Sequence, residues 1–494
     1  MQRRQFGLSC LLLASAGIAG RAAHAQSNVS DVPVGHWQAT LGPADNRTEI
    51  GLEIERGADG RLTAWFTNSL LNFFRMALPP LEADGDGRWR IRAYDVLIQA
   101  RSGSLDVTGL MDDPVLLRRA SSALARPTHA LPPAGPAPRW QLRLGGAIYA
   151  PVCVSGSVGF VGNADGVFHA IDLAEGRSRW TFAPGRAIHG EASASDDAVL
   201  FACDDGRLYK LGAGDGRPLW RYELGDERVP RVPPNPFVFD YDHQAPRPVV
   251  SDGVVYIGAG DGGVHAIDAL SGQRLWRFQA AGKVRATATV LGSQLVVGSR
   301  SNTLHVLDRQ SGRELSRIDT SGPITSTALA LGDRFIVGHR GSRLAAHRVG
   351  AGTTTPLWEQ PYWGSWVESS AVAWNDEAYI GSGDLFLVSA FDPLSGRNRW
   401  RSFVGGWVLQ RPAVTQRHVI VGISGARRRP AHFVEQRGGV AVLERSSGRV
   451  LWSWTAPSSP GQFLFGIVAA PQVVGNEVVV GGIDGSLYAL PLPT

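Results

Sequence analysis

The chain holds 494 residues, 44% of them hydrophobic, with 60 glycines, 15 tryptophans and a formal charge of +5. That length supports a large core and more than one domain, and that glycine content excludes a mainly helical protein in favour of short strands and tight turns. Lys210 and Lys283 are the only lysines, and Arg427-Arg428-Arg429 is the only dense basic cluster, so the charge excludes a nucleic-acid surface, which needs clustering.

Residues 1–25 read as an address rather than as structure. Arg3-Arg4-Gln5-Phe6 precedes a modest apolar run from Leu8 to Ala19, and Ala23-His24-Ala25 offers a small-x-small cleavage site. Together they resemble a bacterial twin-arginine export signal, with Gln2 where Ser or Thr is usual. Cys10 stands before most of the apolar run, out of place for lipid attachment. Such a signal implies a periplasmic protein, and no other run nears the roughly 20 apolar residues that span a bilayer. Without this segment 46 basic residues face 44 acidic ones, so much of the positive charge belongs to the signal. Cys153 and Cys203 then remain, and they read as buried apolar thiols rather than a disulfide.

Residues 26–126 read as a small antiparallel β-domain. Residues 49–55 alternate polar and apolar, and Gly57-Ala58-Asp59-Gly60 turns them into a second strand at 62–66. Further strands are expected at 89–93, 105–110 and 115–118. The order Gly35-His36-Trp37, hairpins around Asp-Gly, then a closing Pro114-Val115-Leu116-Leu117-Arg118-Arg119 resembles small lipocalin-like β-modules. No catalytic set is visible there. Residues 127–138 are Pro-rich and read as an extended linker.

From residue 139 to 494 the chain repeats. AIDALSGQRLW at 266–276 returns at 170–180, 390–400 and 442–452, with looser copies at 211–220 and 306–316. Such self-similarity decides a fold. Second strands of the repeat are expected at 158–162, 199–202, 254–258, 295–298, 335–338, 378–381, 419–422 and 478–481, which makes eight. Trp180, Trp220, Trp276, Trp358, Trp400 and Trp452 mark the fourth strands, and Ser316 takes that slot in the fourth repeat. The eighth repeat lacks a Trp-bearing strand at its end, while residues 139–144 supply one before the first repeat. A ring closed by pairing the two protects both edges. The expected fold is therefore all-β: an eight-bladed β-propeller preceded by the small antiparallel domain.

The pattern Gly-x-Val-Tyr-x-Gly-x-x-Asp-Gly, then Ala-(Ile/Leu)-Asp, then Gly-x-x-x-Trp resembles the pyrroloquinoline-quinone (PQQ) repeat. Proteins with this repeat include quinoprotein dehydrogenases and the propeller lipoprotein of the outer-membrane β-barrel assembly machine, to which the chain is similar. The resemblance implies that each repeat Trp packs on the neighbouring blade. A quinoprotein dehydrogenase would bring a vicinal Cys pair, a divalent cation, a catalytic Asp and long insertions over the funnel. Here the sequence has no Cys-Cys and no insertion beyond 226–248 and 425–439. The Asp-Gly turns at Asp165, Asp205, Asp261 and Asp484 share a repeat position and read as turns, as His169, His265 and His305 read as strand packing. No haem, zinc-protease or serine-hydrolase motif is present.

The function expected is a non-enzymatic periplasmic binding or scaffold protein holding a protein or small-molecule partner, with no metal and no cofactor. The alternative is a PQQ-dependent or other cofactor-bearing oxidoreductase. Aligned repeats put the segments before the innermost strands at one mouth of the channel. Those segments bring Tyr149, His189, Glu191, Arg247, Arg285, Thr325, Glu368 and Arg411 to one rim. Trp363, Trp366, Trp407 and Phe465 lie outside the repeat slot and are expected to form an aromatic arc there. Aromatic faces beside Arg285 and Arg411 would suit a planar anion or a peptide with aromatic anchors. Trp366, Trp407 and Arg411 form the expected core of the site, and the alternative is that the arc packs the loops and plugs the channel.

Overall fold

The computed structural model describes residues 33–111, 113–126, 128–225, 231, 242–350, 352–427 and 435–493. The export signal expected over residues 1–25 and most of the 226–248 insertion lie outside the described residues. Apart from a 3-10 turn at Arg92–Tyr94, the described residues are strands, turns and irregular connections. They belong to two compact units, one running to Ala130 and one starting at Leu131.

The first unit is a closed barrel of eight antiparallel strands in sequence order. The strands are Gly35–Leu41, Thr48–Arg56, Leu62–Asn68, Phe73–Ala83, Arg88–Ile91, Val96–Arg101, Ser104–Thr108 and Val115–Ala120. Ile50, Leu52, Ile54, Phe66, Ile98, Val107 and Leu117 are fully buried, while Glu49 and Glu55 on alternate positions are exposed. His36 pairs with Ala120 and closes the barrel. The strand Phe73–Ala83 contains Pro79 and Pro80, which argue against a strand by composition. They sit at a register shift: Leu62 pairs with Leu81 and Ala64 with Leu78, so the prolines face a bulge that asks for no ladder hydrogen bond.

The second unit is a ring of eight antiparallel sheets, seven of four strands and one of five. All eight expected second strands form. Blade one runs from Cys153–Ser155 to Arg177–Phe182, and the blades follow in sequence order. Blade eight takes Gln472–Val474, Glu477–Gly481 and Ser486–Pro491 from the C-terminus and Trp140–Arg143 from before blade one, with Leu487 opposite Leu142. The ring therefore closes within a blade, as its sequence requires. Blade seven differs in one respect: its second strand, His418–Ala426, outgrows the repeat and also pairs with Leu464–Gly466.

The repeat tryptophans hold the seams between blades. Trp140, Trp180, Trp220, Trp276, Trp358 and Trp400 each donate Nε1–H to a backbone carbonyl of the next blade, at 3.0–3.3 Å. Beneath each ring lies the glycine of the neighbour's Gly-x-x-x-Trp unit, where a Cβ would collide with the indole. Gly176 under Trp140 also has φ +62°, so both conformation and contact require glycine there. Trp452 of blade seven finds its glycine in the Pro-rich stretch: Gly135 lies against its ring, and Ala134 bridges to Ser453. Residues 133–135 are thus fixed to blade seven.

Candidate functional site: the mouth of the propeller channel

A second set of glycines positions the channel mouth. Gly162, Gly258, Gly298, Gly338, Gly381 and Gly481 end second strands, and each gives room to a β-branched residue of the next blade: Ile188, Val284, Ile324, Val367, Val408 and Ile148. These anchors are fully buried. The residue after each anchor stands at the rim position the repeat alignment predicts. Tyr149, His189, Arg285, Thr325, Glu368 and Leu409 occupy those positions. Most of the expected rim residues are therefore brought together.

The mouth is filled by the end of the 226–248 insertion. Asp242, His243 and Gln244 are buried, at 3%, 4% and 6% exposure. Arg285 grips the Asp242 carboxylate through Nε at 2.9 Å and Nη2 at 3.0 Å, and Lys283 Nζ adds a bond of 3.0 Å. Arg300 of blade four lies 3.5 Å away. Arg231, from the same insertion, donates to the carbonyls of Asp242 and Gln244 and closes on Asp204 with bonds of 2.6 and 2.7 Å. Burial alone would raise the Asp242 carboxyl, but Arg285, Arg231 and Lys283 hold it well below the usual carboxylate range. Asp204 is held down in the same way by His189 and Arg231.

His243 is buried among residues of several blades. Its ring lies 6.4 Å from Tyr149 of blade one, and its charge senses Glu368 of blade six, Arg340 of blade five and His189 of blade two. Burial lowers it to about 4, so it is neutral at physiological pH. His189, 5.2 Å from Tyr149, is also lowered, by burial and by Arg231, although Asp204 at 3.0 Å pulls the other way. Arg340 donates to Glu368 at 2.7 Å and stacks 4.4 Å from the Trp366 ring.

Beneath this layer Arg411 of blade seven reaches Glu191 of blade two through two bonds of 2.8 Å. Blades two and seven are three seams apart, so the pair spans the channel. Cys153, on the first strand of blade one, senses both charges, and burial pushes its thiol up to about 11. Cys203 is buried, and its sulfur lies 3.3 Å from the Arg186 carbonyl.

The structure thus engages the cations expected beside a ligand with carboxylates of the protein itself: Arg285 with Asp242, Arg411 with Glu191. The four residues of the expected aromatic arc have four separate settings. Trp366 is half-buried against Arg340. Trp407 is 4% exposed, with its Nε1–H on Asp384 at 2.8 Å. Phe465 covers Gly425 and Gly438 beside the added strand of blade seven, with Arg427 5.8 Å above its ring. Trp363 is half-buried in a turn with φ +51°. Sequence reasoning missed Asp204, Arg231, Asp242, Lys283, Arg300 and Arg340. The signal was present in the insertion, where Asp242-His243 stands next to a run of prolines in a repeat otherwise uniform in length.

The chemistry open to this mouth is narrow. Asp204 and His189 have the outline of an acid–base pair, but Asp204 is already neutralised by Arg231. Asp204 and Asp242 are each closed on by arginine, and no group of three His, Cys, Asp or Glu among the described residues is arranged to hold a metal.

Comparison with known proteins places the ring. The family described as outer membrane protein assembly factor BamB matches residues 82–262, 164–334, 260–385 and 342–493, overlapping windows as a repeat produces. The outer membrane protein assembly factor BamB of Burkholderia pseudomallei strain K96243 is 29% identical over 139 residues, which are 28% of this chain and 31% of that protein. The match therefore spans less than a third of that relative's length. Among solved structures, Sqt1 of Saccharomyces cerevisiae covers 74% of this chain and 100% of its own, with a TM-score of 0.56 and 13% identity. The computationally designed Ika8 protein covers 71% of this chain and 98% of its own, with a TM-score of 0.54 and 18% identity. At those identities they share the fold alone. The windows matched by the family take in most of the chain, and this protein belongs to the PQQ-repeat family of the outer membrane protein assembly factor BamB.

Proposed function

We propose that the protein is a non-enzymatic periplasmic scaffold that holds a protein partner during the assembly of outer-membrane proteins. The observation that carries this reading is the closure of the ring's centre by the protein's own ion pairs. Asp242 pairs with Arg285, and Glu191 with Arg411, so the charged groups at the channel mouth are satisfied within the chain. Binding is then left to the loops and rims of a rigid ring. Family membership supplies the kind of partner, since the relative is named as an assembly factor for outer-membrane proteins. The twin-arginine signal at Arg3-Arg4 supplies the route to the periplasm.

Deleting the gene and quantifying β-barrel proteins in the outer membrane tests the role. Their levels are expected to fall and to recover with the wild-type chain; unchanged levels would overturn it. Incubating the purified protein with PQQ and Ca²⁺ is expected to leave no quinone absorbance after desalting, and retained stoichiometric quinone would favour an oxidoreductase instead. Replacing Arg3 and Arg4 by lysine is expected to hold the precursor in the cytoplasm.

A further inference from the structure

Seven of the eight seams of the ring are built alike, and one is not. At seven, an indole of one blade covers a glycine of the next chain segment: Trp140 on Gly176, Trp180 on Gly216, Trp220 on Gly272, Trp276 on Gly312, Trp358 on Gly396, Trp400 on Gly448 and Trp452 on Gly135. Between blades four and five both partners change together. Ser316 takes the tryptophan position, and Thr354, four residues before Trp358, takes the glycine position. Their hydroxyls lie 3.4 Å apart.

The two substitutions are consistent with each other. A threonine side chain occupies space that an indole would need, so only a small residue fits opposite it. Thr354 itself sits in a strand, paired with Val349, because the blade-five hairpin runs beyond the length of its neighbours. What is lost is a large apolar surface and a hydrogen bond that crosses the seam. In their place the seam has the Ser–Thr contact and an exposed bond from Gln294 to the Gly350 carbonyl at 3.0 Å. The inner half of the seam is normal. Val296, Leu304 and Val306 pack with Ile324, Phe335 and Val337, and Thr289 donates to the Ala328 carbonyl at 2.7 Å.

We infer that the outer seam between blades four and five is a built-in opening point of the ring, and that the ring parts there before it parts at its terminal closure. The closure in blade eight is the natural candidate for a weak point, since chain ends meet there. It is instead fully docked, with Trp140 on Gly176 on one side, Trp452 on Gly135 on the other, and a strand ladder between. Only the seam at Ser316 has neither an indole nor a glycine beneath one.

Hydrogen exchange of the full chain, read by mass spectrometry, tests this. Fragments over residues 303–319 and 343–361 are expected to exchange on the order of tenfold faster than the matching fragments of the other seams. Earliest exchange at 139–144 and 486–491, or equal rates at all eight seams, would overturn the inference. Ser316→Trp with Thr354→Gly is expected to slow exchange at this seam to the common rate and to raise Tm, and a well-folded double variant with unchanged exchange would refute the cause given. Trp400→Ser with Gly448→Thr is expected to create a second early-exchanging seam between blades six and seven, and its absence would equally refute it. The wild-type measurement and this last variant decide the matter even if the first variant does not fold.

Discussion

Asp242 is the residue on which the channel mouth turns. It is a buried carboxylate contacted by Arg285 and Lys283, with Arg300 and Arg231 nearby. Removing one partner of such a cluster leaves uncompensated charge, so Asp242→Ala is expected to cost about 3–5 kcal/mol in urea unfolding. Arg285→Ala should cost less when combined with Asp242→Ala than when made alone, which a double-mutant cycle reads directly. Protons act on buried histidines of the ring as well. His169, His243, His265 and His339 are each lowered to about 4, with burial the main cause. A base whose folded pKa lies below its unfolded value near 6.5 gives stability that is complete above that value and lost as pH falls toward 4. Each such histidine contributes a slope of up to about 1.4 kcal/mol per pH unit within that window. The carboxylates Asp204 and Asp242 are lowered too, so their contribution is lost only at lower pH still. Urea midpoints are expected to fall between pH 7 and pH 5, and His243→Gln should flatten that fall. A midpoint constant over this range would contradict the neutral buried histidines.

The informative element is the short bridge at residues 133–135. By composition it belongs to a linker, but by contact it belongs to the ring. A Cβ on Gly135 would lie 2.6 Å from the Trp452 ring and 3.0 Å from the Trp454 nitrogen. Gly135→Ala is therefore expected to destabilise the ring by about 1–3 kcal/mol through overpacking. Gly214→Ala, at a glycine outside the left-handed region with nothing near its Cβ position, serves as the control. Trp140 follows Gly135 by five residues, against four in the repeat. The unit is recognisable only once the ring shows which chain segment lies over Trp452, because one added residue hides it from alignment and the prolines around it read as a spacer.

At the scale of the molecule the eight blades are one cooperative ring closed by Trp140–Arg143, and the barrel is a separate compact unit. A chain beginning at Leu131 keeps the bridge, the closing strand and all eight blades. It is expected to unfold in a single transition with the Tm of the ring in the full chain. A chain beginning at Leu144 lacks the bridge and the closing strand, and it is expected to aggregate or to lose cooperative unfolding, since blade eight then exposes a strand edge. Normal folding of that shorter chain would show that the closure is dispensable.

The number of blades, the order of strands within them and the closing pair follow from the sequence alone. Each depends on local periodicity: alternation along strands, Asp-Gly turns and a repeated Gly-x-x-x-Trp. The positions of Tyr149, His189, Glu191, Arg285, Glu368 and Arg411 are legible for the same reason, since they stand one or three residues after repeated anchors. What they bind to is not legible. Glu191 and Arg411 are 220 residues apart and meet only because the ring brings blades two and seven, three seams apart, to face one channel. Asp242 lies in an insertion without periodicity, and its position at the mouth depends on Arg231, Lys283 and Arg285, which come from different parts of the chain. Repetition fixes the frame residue by residue, whereas the contents of the channel are long-range charge pairs that exist only after the ring has closed.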